Sequence, residues 1–402
     1  MERNSLTITS LKNTNNTLCL YFPVHLKQNA YIRNYTNTKN TSVMFAEKKV
    51  STPIRVELTK KSRLPQVDFD NIIFGRQFSD HMFMVDYTDG KWHDARIVPY
   101  APIPLSPAMH ALHYGQSIFE GMKAYRNNRE EIYLFRPEEN FKRLNNSAER
   151  MCMPQLPKEI FMDALNELIR LDQDWVPRKE GSSLYIRPFM FATDEFIGVK
   201  PSETYRFMIF TCPVNSYYTE PVRVKIETVY SRACEGGVGR AKAAGNYAAA
   251  LYPARLGQQE GYHQLVWTDA KEHKYIEESG TMNIMFNIGD KLVTPPTSGT
   301  ILPGITRNSV ITIARDWGLN VEETSVHVDE VINALKKGTL KEAFGMGTAA
   351  TIAHIKLIGY RNKKYELSDP DSSYFSHKVS KYLEDLRRGY VEDKFNWTYQ
   401  VV

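Results

Sequence analysis

The sequence predicts a mixed α/β protein of two domains, residues 44–211 and 221–402, joined by a linker at 212–220. Three observations carry this prediction. Strand-length runs, alternating or uniformly apolar, recur from residue 81 to residue 294, interleaved with amphipathic runs of helix length. Between the two halves, a stretch marked by Pro213 and Pro221 breaks the pattern. The 402 residues also suffice for two or three cores.

Residues 81–87 read as a strand, Asp89-Gly90 as its hairpin turn and 96–98 as the return. A segment dense in aromatic and small residues, 110–122, leads to a strand at 131–135. Pro137, with φ preset and no N–H to leave unpaired, opens a helix running to about Met151, with Phe141, Leu144 and Ala148 on one face. A second amphipathic helix covers 158–171. Alternation over 183–191 sets Tyr185 and Arg187 on one face of a strand, and 205–212 is an apolar, buried strand. Beyond the linker, 222–230 alternates as a strand, and 246–260 is a helix ended by Gly261. Short strands follow at 264–268, 274–278, 283–287 and 291–294. Helices are expected at about 307–317, 328–337 and 373–390. Residues 341–350 read as a strand breaking into a tight glycine turn.

Composition excludes several classes. With 42% hydrophobic and 24% charged residues the chain is neither disordered nor fibrous. Of the formal charge of +5, residues 1–43 supply net +4, so the remainder carries no basic stripe for nucleic acid. The four cysteines are scattered, which suits reduced thiols in the cytoplasm better than a disulfide framework or a zinc site. The longest apolar run of the tail, 18–26, is broken by Pro23 and His25 and cannot span a bilayer. Residues 1–43 are read as a disordered or non-native extension, with Met44 as the natural start; as a transit peptide they would place the protein in an organelle.

The chemistry centres on Glu235-Gly-Gly-Val-Gly-Arg-Ala-Lys-Ala-Ala-Gly-Asn-Tyr247. Its glycines let backbone approach a bound group closely. Lys242, partly withdrawn from water, could act there as an amine nucleophile toward an aldehyde. A single glycine-rich lysine is more often a solvated loop residue, and the Gly-Lys-Ser/Thr of a nucleotide-phosphate loop is missing. Glu278 could keep a pyridine nitrogen protonated; Glu277, its neighbour, faces the other side of the strand, so only one can serve. Ile305 and Thr306 would present free N–H groups at a helix N-terminus, an anion site. Thr348, in the glycine turn 345–350, offers a hydroxyl and backbone donors. Arg143 and Arg187 could grip carboxylate or phosphate, and Tyr114, Phe119 and Tyr185 could wall an apolar pocket. Each has an ordinary structural reading when taken alone.

Together these segments resemble the branched-chain amino acid aminotransferases, fold-type IV pyridoxal-phosphate enzymes, from about Phe74 to the C-terminus. The blocks are His113-Tyr-Gly-x-x-x-Phe-Glu-Gly121, Tyr185-Ile-Arg-Pro188, Lys242-Ala-Ala-Gly-Asn-Tyr247, Glu278-x-Gly-Thr-Met-Asn283, Leu302-Pro-Gly-Ile-Thr-Arg307 and Gly347-Thr-Ala349. The resemblance implies a smaller N-terminal α/β domain, a larger C-terminal domain with a barrel-like sheet, and a homodimer. It implies Lys242 as the Schiff-base lysine, Glu278 as the pyridine-nitrogen partner and Tyr247 on the cofactor's 3′-oxygen. Arg143, Ile305, Thr306 and Thr348 match the phosphate cup. Thr348, Ala349 and Tyr185 resemble the α-carboxylate site, and Arg187 the group meeting glutamate's distal carboxylate. Phe74, Tyr114, Phe119 and Val199 look like the side-chain pocket, shared with a partner subunit. The implied reaction is reversible amino transfer between leucine, isoleucine or valine and 2-oxoglutarate.

Two departures stand out. The redox Cys-x-x-Cys of mammalian members is replaced by Ala350 and Ala353, so thiol control is not expected. Met285 stands where the family favours Phe or Tyr. Competing readings are a D-amino acid aminotransferase, an aminodeoxychorismate lyase, or a silent binding protein on the same scaffold. The Tyr185-x-Arg187 and His113-Tyr-Gly blocks speak against the first two, and the presence of Lys242 against the third.

Overall fold

Two sheets frame the molecule, each gathering its strands from one stretch of chain apart from a last strand that returns to the first. The computed structural model describes residues 53–215, 220–349, 351–369 and 371–402. The readings of residues 1–43, of Met44 as a start and of linker residues 216–219 lie outside them. Among the described residues the first sheet takes β1 (Arg55–Val56), β2 (His81–Thr88), β3 (Lys91–Pro99), β4 (Ser117–Phe119), β5 (Met122–Arg126), β6 (Ile132–Phe135), β7 (Ser183–Ala192) and β8 (Tyr205–Val214). It is antiparallel apart from the β1–β3 pair. The expected hairpin is there, with Asp89 and Gly90 both at positive φ. β8 continues past residue 212, because Cys212, Pro213 and Val214 still pair with Tyr185, Leu184 and Ser183. The chain therefore leaves this sheet later than the proline signal suggested.

Helices α1 (His110–Tyr114), α2 (Pro137–Arg150) and α3 (Lys158–Leu171) belong to this half. On α3, Ile160, Phe161, Ala164, Leu165, Leu168 and Ile169 recur at helical spacing and are buried. With Leu144 and Ala148 of α2 they pack against Phe83, Ile97, Leu184 and Ile186 of the sheet. Arg143 lies on this buried face of α2, where burial would be unfavourable without a partner charge.

The second sheet takes β9 (Val222–Ile226), β10 (Gln264–Thr268), β11 (Tyr275–Ser279), β12 (Asn283–Ile288), β13 (Lys291–Thr294), β14 (Val321–Glu323), β15 (Val326–His327), β16 (Leu340–Gly347), β17 (Thr351–Tyr360) and β18 (Lys363–Glu366). It is mixed, with β9 parallel to both β10 and β17, and it is curled into a half-barrel. Helices α4 (Ala244–Gln259), α5 (Ile305–Asp316), α6 (Val328–Lys337) and α7 (Phe375–Arg387) accompany it. A last strand, β19 (Thr398–Gln400), returns to the first sheet and pairs with β6. One apolar cluster joins the halves: Val310 and Ile313 of α5 and Leu383 and Leu386 of α7 pack with Tyr125 and Phe135 of the first sheet and Met285 and Phe344 of the second. Met285, fully buried, thus fills its place in the strand as a packing residue.

Sequence reasoning left β1, β4, β5, β14, β15, β17, β18 and β19 unassigned, and it ran the strand at 222–226 on to Tyr230. There Glu227 turns the chain, its Oε1 accepting from the N–H groups of Thr228, Val229 and Tyr230. No helix among the described residues is long and apolar enough to cross a membrane.

Candidate functional site

A cavity of about 630 Å³ is lined from both halves of the chain. Lys242 enters it from the loop before α4, where both neighbours on the chain are buried. Its N–H donates to Ser147 Oγ at 2.9 Å, and its carbonyl accepts from Phe119 N–H at 3.0 Å. Asn246 Nδ2 ties the approach by donating to the carbonyls of Val238 and Ala241. Thus held, Lys242 is half-buried, with Nζ 2.9 Å from the Tyr247 hydroxyl and 4.8 Å from the centre of the Phe119 ring.

Glu278, near the end of β11, is almost wholly buried and lines the cavity; Glu277, although also buried, does not appear among the described lining residues. Strand alternation does separate them. Glu278 accepts from Leu302 N–H at 3.0 Å and pairs with Arg232 Nε at 2.5 Å. Burial pushes its carboxyl above the usual range, against the opposing pull of Arg232, the Leu302 N–H, Lys242 and Arg143. Arg232 is buried too, and it donates to the carbonyls of Thr300 and Gly239.

Arg143 reaches the cavity from α2 held by Glu120, a fully buried carboxylate. Its Nε and Nη2 donate to the two Glu120 oxygens at 2.7 and 2.8 Å, a bidentate fork, and Nη1 donates to the Pro303 carbonyl at 3.0 Å. Burial would raise the Glu120 carboxyl, but the Arg143 charge and hydrogen bonds, with Lys242 and Asn140, hold it below its ordinary value. Glu120 and Arg232 were missed in the sequence. Glu120 stood inside a quoted block without a role, whereas Arg232 carried no motif signal. A buried carboxylate needs a cation, and that requirement was the available clue.

Two backbone turns complete the cavity. α5 begins at Ile305, two residues before the expected start, and Gly304 at its N-cap leaves the first turn with no side-chain cap. The Ile305 and Thr306 ends of this helix line the cavity, as do Gly347, Thr348 and Ala349 after β16. An uncapped helix start presents N–H donors and the positive end of the helix dipole. On the opposite wall, Arg187 Nη2 donates to the Tyr185 hydroxyl at 2.9 Å, and the guanidinium lies 4.6 Å from the Phe119 ring centre. Among the described residues Arg187 Nε is buried with no protein partner, a donor that an incoming acceptor could satisfy. Phe74 packs edge-on against Tyr185 at 5.2 Å.

The cavity thus brings together Phe74, Phe119, Arg143, Tyr185, Arg187, Lys242, Tyr247, Glu278, Ile305, Thr306, Thr348 and Ala349. Tyr114 and Val199 are not among its described lining residues. They are exposed by 39% and 91%, so within one chain neither walls the pocket. An amine, a buried carboxylate and two donor-rich turns around one space fit a phosphorylated pyridine aldehyde better than a metal. Among the described residues no cluster of three or more His, Cys, Asp or Glu could hold an ion.

The chain is similar to known proteins over most of its length. The amino-transferase class IV family profile matches residues 117–358. Branched-chain-amino-acid aminotransferase 2 of Bacillus subtilis is 45% identical over 352 residues, 87% of this chain and 97% of that one. Branched-chain-amino-acid transaminase 1 of the same organism is 47% identical over 339 residues, 83% and 95% of the two chains. The structure of a branched-chain aminotransferase from Thermoproteus uzoniensis with norvaline superimposes with a TM-score of 0.67 at 26% identity, covering 80% of this chain and 100% of that one. The Escherichia coli branched-chain amino acid aminotransferase gives 0.66, also at 26% identity, over 80% and 99%. With nearly the full length of such relatives matched, the chain belongs to the class IV aminotransferases, among those of branched-chain amino acids.

Proposed function

We propose that this protein transfers the amino group reversibly between L-leucine, L-isoleucine or L-valine and 2-oxoglutarate, with pyridoxal 5′-phosphate held in the cavity. The observation carrying this reading is the placement of Lys242 and Glu278 in one cavity flanked by two donor-rich turns. The cofactor, when bound, supplies an electron sink for the pair left on the substrate Cα. Lys242 Nζ would hold the cofactor and would carry the substrate's Cα proton. Glu278, as the carboxylate that Arg232 and the Leu302 N–H favour against the effect of burial, keeps the pyridine nitrogen protonated. Tyr247 orients the Lys242 amine and meets the cofactor's 3′-oxygen. Arg143, Ile305, Thr306 and Thr348 hold the phosphate.

The substrate's α-carboxylate goes to Thr348, Ala349 and the Tyr185 hydroxyl. Phe74 and Phe119 exclude water from its aliphatic side chain. Arg187, whose Nε has no partner among the described residues, takes the distal carboxylate of glutamate, so one pocket serves an apolar and an acidic substrate. The working unit is a homodimer. Leu112, Tyr114, Ile197 and Val199 are all exposed, and an apolar surface of this kind is characteristic of a contact face. Tyr114 and Val199 then complete the pocket of the second copy. Free thiols at Cys152, Cys212 and Cys234 support a cytoplasmic setting. The two sheets support a division into domains near residue 215.

Borohydride reduction of the loaded protein followed by peptide mass spectrometry tests the reading. The reduced cofactor should be found on the peptide carrying Lys242; its recovery on another lysine, or on none, would overturn the assignment.

A further inference from the structure

Lys123 is a buried cation for which the chemistry above has no use. It sits on β5 directly across from Tyr185 of β7, yet it is not among the described lining residues of the cavity. Its Nζ instead donates to the Ala349 carbonyl at 3.1 Å. That bond runs from the first sheet to the tip of the β16–β17 hairpin in the second, and so reaches the Thr348–Ala349 turn.

The hairpin tip needs holding. Thr351, the first residue of β17, has φ of +56°, a left-handed conformation that a β-branched residue adopts only under strain. Arg387 of α7 donates to the Thr351 hydroxyl at 3.4 Å, its guanidinium lying 4.8 Å from the Phe135 ring centre. Lys123 therefore shares its surroundings with Arg387 and Arg388, opposed by Glu384, whose Oε1 is 2.7 Å from Arg388 Nε. Burial and the two arginines push the Lys123 amine down to about 8. A methionine of similar length would fill this space without the cost of burying a charge. The described benefit of an ammonium here is its grip on the Ala349 carbonyl.

We propose that Lys123 is a positioning residue for substrate, fixing the Thr348–Ala349 turn in the orientation that receives the α-carboxylate. This rests on the reading that the turn is the carboxylate site. Cofactor-loaded K123M, K123R and T348V proteins, compared with the parent, separate the two ideas. K123M should raise KM for leucine and for 2-oxoglutarate by about five- to ten-fold, as loss of one charge-assisted bond does, and leave kcat within about two-fold. The Kd of 4-methylpentanoate, leucine's skeleton without the amine, should rise by a similar factor in calorimetric titration. K123R should recover most of both losses.

If K123M leaves KM and Kd unchanged while T348V raises them, Lys123 has no such role although the turn does. Unchanged values in both variants would remove the carboxylate site, and the role of Lys123 with it. A fall in kcat alone would also overturn the proposal. Should K123M fail to fold, K123Q carries the same test, because it keeps a donor but no charge: an intermediate rise in KM supports the grip, and none overturns it.

Discussion

The floor of the cavity and its rim are built on opposite principles. At its floor, meaning here the lining residues Arg143 and Glu278, each charge has a partner fixed within the same chain: Glu120 grips Arg143 with two hydrogen bonds, and Arg232 meets Glu278 at 2.5 Å. Both pairs are almost fully buried, where one charge without the other would be strongly destabilising. Tyr114 and Val199, which the proposed homodimer would set at the rim of the second copy's pocket, are exposed side chains outside the described lining of this one. On the proposed reading, one chain supplies the groups for the cofactor chemistry, whereas a second surface adds to those that select the substrate. Substitutions on the floor should therefore abolish the reaction, and those at the rim should only tune it.

The largest effect belongs to Lys242. Lys242→Ala removes the proposed nucleophile and proton carrier together, and single-turnover kinetics should show the amino-transfer rate lowered by about 10³-fold or more. A residual rate within ten-fold of the parent would mean that another group does this work. Glu278→Gln comes next. Loss of the carboxylate beside the pyridine should lower kcat by about 10²- to 10³-fold, the scale of a removed electrostatic stabiliser. It also leaves Arg232 buried without its counter-charge, at a cost of up to about 3–5 kcal/mol. A clear drop in Tm of the cofactor-free protein should therefore accompany the kinetic loss. Unchanged Tm with lost activity would show that Arg232 finds other acceptors, such as the Thr300 and Gly239 carbonyls it already holds.

The same division explains what could be read from the sequence. Lys242, Glu278 and the two turns sit in compact blocks that draw attention locally, each with an ordinary reading of its own, and the family resemblance gives them and Tyr247 their expected roles. The partners that hold them are distant in sequence, Glu120 from Arg143 by 23 residues and Arg232 from Glu278 by 46, and pairing at such range is a tertiary fact. The strand β17 was unassigned for a related reason. Its run, Thr351–Tyr360, mixes His354, Lys356 and Gly359 among apolar residues without clean alternation, and its pairing is shared among β16 and β18, both antiparallel, and β9, which is parallel. Tertiary pairing overrode a weak local pattern.

Between floor and rim stands Arg187, and its removal should act on one substrate more than the other. Arg187→Ala is expected to lower kcat/KM for glutamate by about 30- to 100-fold, consistent with a lost charge-assisted fork. The leucine half-reaction should fall less than about five-fold. Equal losses in the two half-reactions would instead make Arg187 a support for Tyr185, whose hydroxyl it already contacts.

The smallest effect is expected at Val199. With 91% of its surface open to solvent in the single chain, Val199→Asp should change folding stability by no more than about 0.5 kcal/mol, as exposed substitutions do. If Val199 rests against a second copy, however, the new carboxylate must be desolvated at the contact. Sedimentation equilibrium should then find weaker association, while KM for leucine rises a few-fold and the rate with saturating substrate holds. Association and KM moving together would tie the rim to the dimer. A variant that sediments like the parent and binds leucine equally well would confine the pocket to a single chain, and the contrast between floor and rim would lose its second surface.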